Sequence, residues 1–224
     1  YVSLSVVAEQ ELPDGDFPTC NPPNPEEESA MRLSIDQAQS QQADLFFATD
    51  ADCDRMGAGI LTETGFRLLT GNEMGLLLLE YLCQRGIQEG TLPAHPVAIK
   101  SIVTTDMAEE ICKKYGVELR NVLTGFKYIG VQIGMLETAG EEDRFLLGFE
   151  ESYGYLAGTF VRDKDAVIAS VLLCEMASYY KAKGKTLLNV LDEMYQQYGY
   201  YGNHLFSLEY PGKQGAETMH KMLK

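Results

Sequence analysis

The chain has 224 residues, 45% of them hydrophobic and 23% charged, which is enough to bury one large core or two modest ones. A formal net charge of -15 repels a phosphate-rich polymer over most of the surface and excludes nucleic acid as a partner, while a small anion remains compatible where a few cations or a bound metal ion reverse the potential locally. The five cysteines (Cys20, Cys53, Cys83, Cys112, Cys174) are scattered and never in C-x-x-C spacing, so they read as reduced thiols of a cytoplasmic protein; the apolar run 76–79 is too short to span a bilayer and the N-terminus shows no basic region before an apolar one, so no membrane association is expected.

Residues 2–8 alternate and are rich in valine, which predicts a strand, followed by a loop over 13–25 dense in Pro, Asn, Asp and Gly. The sequence N-P-E-E-E from Asn24 predicts a polar helix with Pro25 in its first turn and Glu26 to Glu28 at the positive end of its dipole. Residues 43–49 form a short apolar run that predicts a buried strand ending at Asp50. Thr70 and Glu73 have capping-box spacing ahead of an apolar helix reaching about Cys83, and Pro93 and Pro96 then place a domain boundary.

Beyond that boundary the pattern alternates: strand 97–103, helix 106–115 started by Asp106, strand 117–123, helix 126–138 capped by Thr124, strand 144–149. Residues 165–180 are apolar almost all round, which predicts a buried helix, and a second helix spans 186–198, ended by Gly199. The tail 203–224 reads as a strand and the start of a helix. The expected architecture is α/β: two α/β domains with mixed, mainly parallel sheets flanked by helices, divided as 1–95, 96–202 and a linker 203–224 leading to a next domain.

The densest chemistry is Thr49-Asp50-Ala51-Asp52-Cys53-Asp54-Arg55. Asp50, Asp52 and Asp54 at alternate positions of a tight turn repel one another unless a cation neutralises them, and all-oxygen ligation favours magnesium, manganese or calcium over zinc. An acidic surface turn is the plain alternative. An EF-hand is excluded because loop positions six and twelve hold Arg55 and Leu61 in place of Gly and Glu. A haloacid-dehalogenase-type phosphatase fits poorly, since Asp54 stands where that family has Thr or Val. Arg55 either neutralises the loop or holds phosphate oxygens bidentately.

Gly148-Phe149-Glu150-Glu151-Ser152-Tyr153-Gly154 follows the strand at 144–149, and Glu150 and Ser152, two apart, face one side, where they can hold vicinal hydroxyls. Arg162 and Lys164 stand at the entrance of the apolar helix, either solvated beside a capping aspartate or gathering an anion such as phosphate. Gly125 and Lys127 open another helix, where the lysine can reach solvent.

In this order the segments T-D-A-D-C-D-R, T-G-F-K-Y-I-G, G-F-E-E-S-Y-G and V-R-D-K-D-A, with N-P-E-E before them, resemble the α-D-phosphohexomutases, the phosphoglucomutase/phosphomannomutase family, over nearly the whole chain. The resemblance implies the second and third domains of a longer enzyme that interconverts hexose 1-phosphate and hexose 6-phosphate through a phosphoserine and a bisphosphate. It implies Asp50, Asp52 and Asp54 as magnesium ligands, Arg55 on the phosphoryl group, Glu150 and Ser152 on sugar hydroxyls, Gly125, Lys127 and Arg162 near the substrate, and Lys164 as general acid/base. It further implies glucose 1,6-bisphosphate as activator and the remaining domains of the same polypeptide as partners. The family's T-A-S-H-N-type phosphoserine motif and R-x-S-G-T-type phosphate clamp are absent from the sequence, so the chain alone is expected to be inactive. Phe149 ahead of the loop glutamate is also similar to the branch with phosphopentomutases and glucose-1,6-bisphosphate synthases, and a non-catalytic sugar-phosphate-binding module is the alternative outside catalysis.

Overall fold

The computed structural model describes residues 2–20, 22–204, 206, 208 and 210–223. Its first layer is a three-stranded antiparallel sheet in the order β1 (Leu45–Thr49), β2 (Met56–Thr62), β3 (Gly65–Leu68), with helix α1 (Glu28–Gln41) against it. The second is a four-stranded sheet in the order β5 (Glu118–Val122), β4 (Val97–Ser101), β6 (Phe145–Glu150), β7 (Gly154–Leu156). β4 pairs parallel with β5 and β6, whereas β7 is antiparallel to β6. Helices α3 (Met107–Tyr115) and α4 (Phe126–Thr138) supply the crossovers that parallel pairing requires. The α/β layering is the one read from sequence, but the strand before the aspartate loop pairs antiparallel, so that loop is a hairpin connection from Thr49 to Met56.

Helix α2 (Gly71–Glu89) joins the layers. Its Thr70 hydroxyl accepts from the Glu73 N–H at 3.1 Å while the Glu73 carboxylate accepts from the Thr70 N–H at 2.9 Å, closing the expected capping box. The helix runs past Cys83 to Glu89 and packs on α3, β6, α5 (Ala166–Ala182) and α6 (Leu187–Tyr198). One apolar core thus runs from Met56, Ala58 and Ile60 on β2, through Leu77 to Leu79, to Phe149 and Tyr155. A Cβ on Gly75 would overlap the Phe149 ring, so this glycine is what lets α2 lie directly on β6.

Several sequence expectations are corrected. Residues 2–7 form no strand: they are largely exposed and pair with none of the described strands, and β propensity without a partner ladder does not make a strand. The N-P-E-E segment is a turn, with the Asn24 carboxamide accepting from the Glu26 N–H at 3.1 Å, and the helix starts only at Glu28. Asp106 caps nothing with its side chain, which instead meets the buried Lys100 ammonium at 3.3 Å. Thr124 yields the cap position of α4 to Gly125, whose φ of 117° suits glycine. Helix α5 is one-sided, burying Ala166, Ala169, Leu173, Met176 and Tyr180 while Val167 and Val171 face outward. In the tail, residues 203, 204, 206, 208 and 210 are not strand, positions 205, 207 and 209 of that expectation lie outside the described residues, and helix α7 (Gly212–Met222) follows. All five cysteines are free thiols, and among the described residues no helix is long and apolar enough to cross a membrane.

Candidate functional site

The hairpin between β1 and β2 is built around Asp50. This side chain is 8% exposed, its Oδ1 accepts from the N–H groups of Asp54 (3.1 Å) and Arg55 (3.0 Å), and its Oδ2 accepts from Arg55 Nε at 2.7 Å. Cys53, at φ 59°, makes the tight turn that brings the alternate aspartates together. Carboxylate oxygens of Asp50, Asp52 and Asp54 lie within 4.8 Å of one another, with Asp52 exposed and Asp54 half-buried. Three carboxylates gathered on one turn make an all-oxygen donor set of the kind a hard divalent cation takes.

Burial opposes the charge of Asp50, yet hydrogen bonds from the Arg55 backbone and guanidinium hold its carboxyl below the ordinary aspartate value. Burial pushes Asp54 up, and the nearby Asp50 adds to this against the pull of Lys164. Arg55 is shared further: its Nη1 lies 3.1 Å from Oε1 of Glu26, so the N-P-E-E turn lies along the guanidinium. Gly57 permits this approach, since a Cβ there would overlap the Pro25 carbonyl.

The second sheet closes onto the same loop. Arg55 forms a bridge with Gly154, the Met56 N–H donates to the Tyr153 carbonyl at 3.1 Å, and the Ala166 N–H donates to the Cys53 carbonyl at 3.1 Å. Lys164, just before α5, places Nζ 2.8 Å from Oδ2 of Asp54 and 3.0 Å from Oδ1 of Asp163. A Cβ on Gly154 would occupy the path of the Lys164 side chain. Burial alone would lower the Lys164 pKa, but the two aspartates hold it above the usual lysine value and keep it an ammonium.

Glu150 is 4% exposed and its Oε1 accepts from the Gly125 N–H at 2.7 Å, which links the β6–β7 loop to the entrance of α4. Burial raises its pKa, and the Gly125 N–H only partly compensates. Lys164 also lies 5.7 Å above the Phe126 ring, so the aspartate loop, Lys164, Gly125 and Glu150 surround one region. Ser152 follows in the same loop, half-buried. Two expected members have other partners. Arg162 pairs with Glu137 and donates to the Val161 carbonyl at 3.0 Å, and Lys127 rests 5.0 Å above the Tyr128 ring. Both are held by neighbours on or beside α4.

Sequence reasoning missed Glu26 as the partner of Arg55, because it assigned the N-P-E-E acids to a helix dipole. It also missed Glu151, which turns away from Glu150 into the β4–α3 turn, where its Oε2 accepts from Ser101 Oγ and Thr104 Oγ1, each at 2.8 Å. The available signal was that a residue following Glu150 at a strand end points to the opposite side.

Comparison with known proteins matches residues 1–64 to phosphoglucomutase/phosphomannomutase alpha/beta/alpha domain II and residues 70–198 to alpha/beta/alpha domain III. The division between these two matches falls before α2, earlier than the Pro93 to Pro96 boundary read from sequence. A phosphoglucomutase of Staphylococcus haemolyticus is 35% identical over 224 residues, all of this chain and 40% of that protein, and one of Staphylococcus aureus is 35% identical over 39% of its length. The chain therefore spans about two-fifths of the relatives it matches. Among solved structures, a phosphoglucomutase/phosphomannomutase family protein of Burkholderia thailandensis shares the fold at TM-score 0.60 and 20% identity, covering 81% of this chain and 35% of that one. Aspergillus fumigatus N-acetylphosphoglucosamine mutase, in complex with GlcNAc-6P and magnesium, aligns at TM-score 0.50 and 17% identity over 75% of this chain and 37% of that one. With a site made where an aspartate hairpin meets the β6–β7 loop, and with family matches over most of its length, the chain belongs to the phosphoglucomutase/phosphomannomutase family.

Proposed function

We propose that this chain supplies the metal loop and the sugar loop of a phosphoglucomutase, an enzyme interconverting glucose 1-phosphate and glucose 6-phosphate, whose phosphoserine and terminal phosphate clamp belong to other domains of the same polypeptide. The observation that carries this reading is the convergence on one region of Asp50, Asp52, Asp54, Arg55 and Lys164, with Glu150 on the adjoining loop. The curated relatives named phosphoglucomutase favour glucose over mannose or pentose.

In this reading Asp50, Asp52 and Asp54 hold Mg2+, which when bound offsets the negative charge of the phosphoryl oxygens. Arg55, oriented by Asp50 and Glu26, directs its remaining N–H groups toward a phosphoryl group. Glu150 and Ser152 hold sugar hydroxyls. Gly125 lies at the sugar through its link to Glu150, while Lys127 and Arg162 would have to leave Tyr128 and Glu137 to reach substrate. Lys164, kept as an ammonium, gives a proton to the departing sugar oxygen, and the neutral amine this leaves recovers one from the attacking hydroxyl in the reverse sense. Glucose 1,6-bisphosphate is the activator this cycle requires, and the chain alone turns over no sugar phosphate.

The test is an assay of the longer enzyme with glucose 1-phosphate, mannose 1-phosphate and ribose 1-phosphate, in the presence of Mg2+ and glucose 1,6-bisphosphate. Preference for glucose 1-phosphate supports the reading. Preference for ribose 1-phosphate would move the enzyme to the phosphopentomutase branch, and turnover by the 224-residue chain itself would end the division of labour between domains.

A further inference from the structure

The β6–β7 loop has two faces, and only one of them looks toward the substrate region. On the other face Glu151 is held at three points: its Oε2 accepts from Ser101 Oγ and Thr104 Oγ1, each at 2.8 Å, and its own N–H donates to Thr104 Oγ1 at 3.2 Å. The two hydroxyls also contact each other at 2.7 Å. Ser101 and Thr104 are 0% and 2% exposed, so each depends on a protein partner to satisfy its polar group.

This turn between β4 and α3 is itself fixed from behind. The Lys100 ammonium, 1% exposed, donates to the Thr104 carbonyl at 2.9 Å, and the Thr105 N–H donates to the Asn72 carboxamide at 2.9 Å. From α2, Gly71 lies so close that a Cβ would overlap the Glu151 carbonyl oxygen. The loop is therefore clamped between the β4–α3 turn and the first turn of α2, and Glu151 is the side chain that makes the clamp. Glu150, the last residue of β6, turns instead toward α4, its Oε1 accepting from the Gly125 N–H at 2.7 Å, and Ser152 follows Glu151 in the same turn.

We infer that Glu151 is a positioning residue, anchoring the loop through Ser101 and Thr104 so that Glu150 and Ser152 are presented to the sugar. The inference rests on the proposed phosphoglucomutase reading for its effect on substrate, but the anchoring itself can be read without substrate. Removing the carboxylate leaves the buried Ser101–Thr104 hydroxyl pair, which can supply only one bond between its members, short of an acceptor and frees the loop, which weakens hydroxyl recognition and leaves the aspartate hairpin unchanged.

The experiment has two arms. In the 224-residue chain, hydrogen exchange of the amides of residues 150–154 should be at least about tenfold faster in Glu151→Ala than in wild type, whereas exchange in residues 50–55 stays unchanged. In the longer enzyme, Glu151→Ala should raise the KM for glucose 1-phosphate roughly tenfold with an unchanged Mg2+ requirement. Glu151→Gln, which keeps an acceptor oxygen, should stay within about threefold of wild type in both arms. The Ser101→Ala/Thr104→Val double variant should reproduce the Glu151→Ala effect, and combining all three should add nothing further. If Glu151→Ala fails to fold, the Ser101→Ala/Thr104→Val double variant, which keeps the carboxylate, carries both arms on its own, and wild-type loop exchange in it would equally overturn the anchoring role. Wild-type loop exchange in Glu151→Ala, or additive losses in the cycle, would overturn the anchoring role. A wild-type enzyme without mutase activity but with the predicted exchange change would instead overturn the functional reading alone.

Discussion

The Lys164 ammonium sits 2.8 Å from Oδ2 of Asp54, so a residue from the entrance of α5 closes directly onto a metal-loop carboxylate from the preceding sheet. In the proposed mechanism this contact couples proton transfer to the loop. In the longer enzyme, Lys164→Met should slow the chemical step by roughly a hundredfold, as expected for loss of a general acid/base. The same substitution removes a cation from a candidate ligand and should raise Mg2+ affinity about two- to fivefold, the scale of a partly exposed ion pair. Single-turnover kinetics and titration calorimetry on the variant check both. Unchanged kinetics would reduce Lys164 to a phosphate-positioning cation.

Asp50 holds the hairpin together, since it accepts from two N–H groups and the Arg55 guanidinium at once. Asp50→Ala should cost about 2–4 kcal/mol in chemical denaturation, more than the exposed Asp52→Ala, because it leaves two backbone N–H donors and the Arg55 Nε–H without their acceptor. Equal losses in the two variants would show that the hairpin does not depend on Asp50.

Burial raises the Glu150 pKa above the ordinary 4.5. The folded chain therefore binds more protons than the unfolded chain between 4.5 and that raised value, and stability falls as pH rises through this window. Glu150→Gln does not titrate, so it should be more stable than wild type at pH about 7 and lose that advantage below pH 4.5. Thermal unfolding across this range checks the sign; a stability difference independent of pH would contradict it.

Gly71 is pressed against the backbone of Glu151 and Tyr153, atoms that cannot rotate aside. Gly71→Ala should therefore destabilise the chain by about 2–4 kcal/mol despite the better helix propensity of alanine. A neutral result would mean the loop and α2 are free to separate.

Much of this site was legible because its signals are local. Three alternate aspartates followed by arginine declare a charge problem that needs a cation, and Asp165 caps α5 with a 2.9 Å bond from the Ile168 N–H, as a short polar residue before an apolar run should. What escaped was decided by pairing across the chain. A five-residue apolar strand does not reveal whether its neighbour runs parallel, and β1 found an antiparallel one. Lys100 claimed Asp106 from its capping role, and Glu137 paired with Arg162. Each of these is a pairing choice among neighbours that the residue spacing alone does not decide.

The central claim, that the aspartate hairpin drives phosphoryl transfer on a sugar phosphate, is tested most directly by glucose 1-phosphate turnover of the longer enzyme with and without Asp52→Asn, titrated with Mg2+. Asp52 is the exposed member of the trio, so the change removes ligand charge without disturbing the core. The account predicts an active wild type and a variant at least about a hundredfold slower at saturating sugar phosphate, with its Mg2+ requirement shifted to higher concentration. A variant that turns over at the wild-type rate with an unshifted Mg2+ dependence would contradict it.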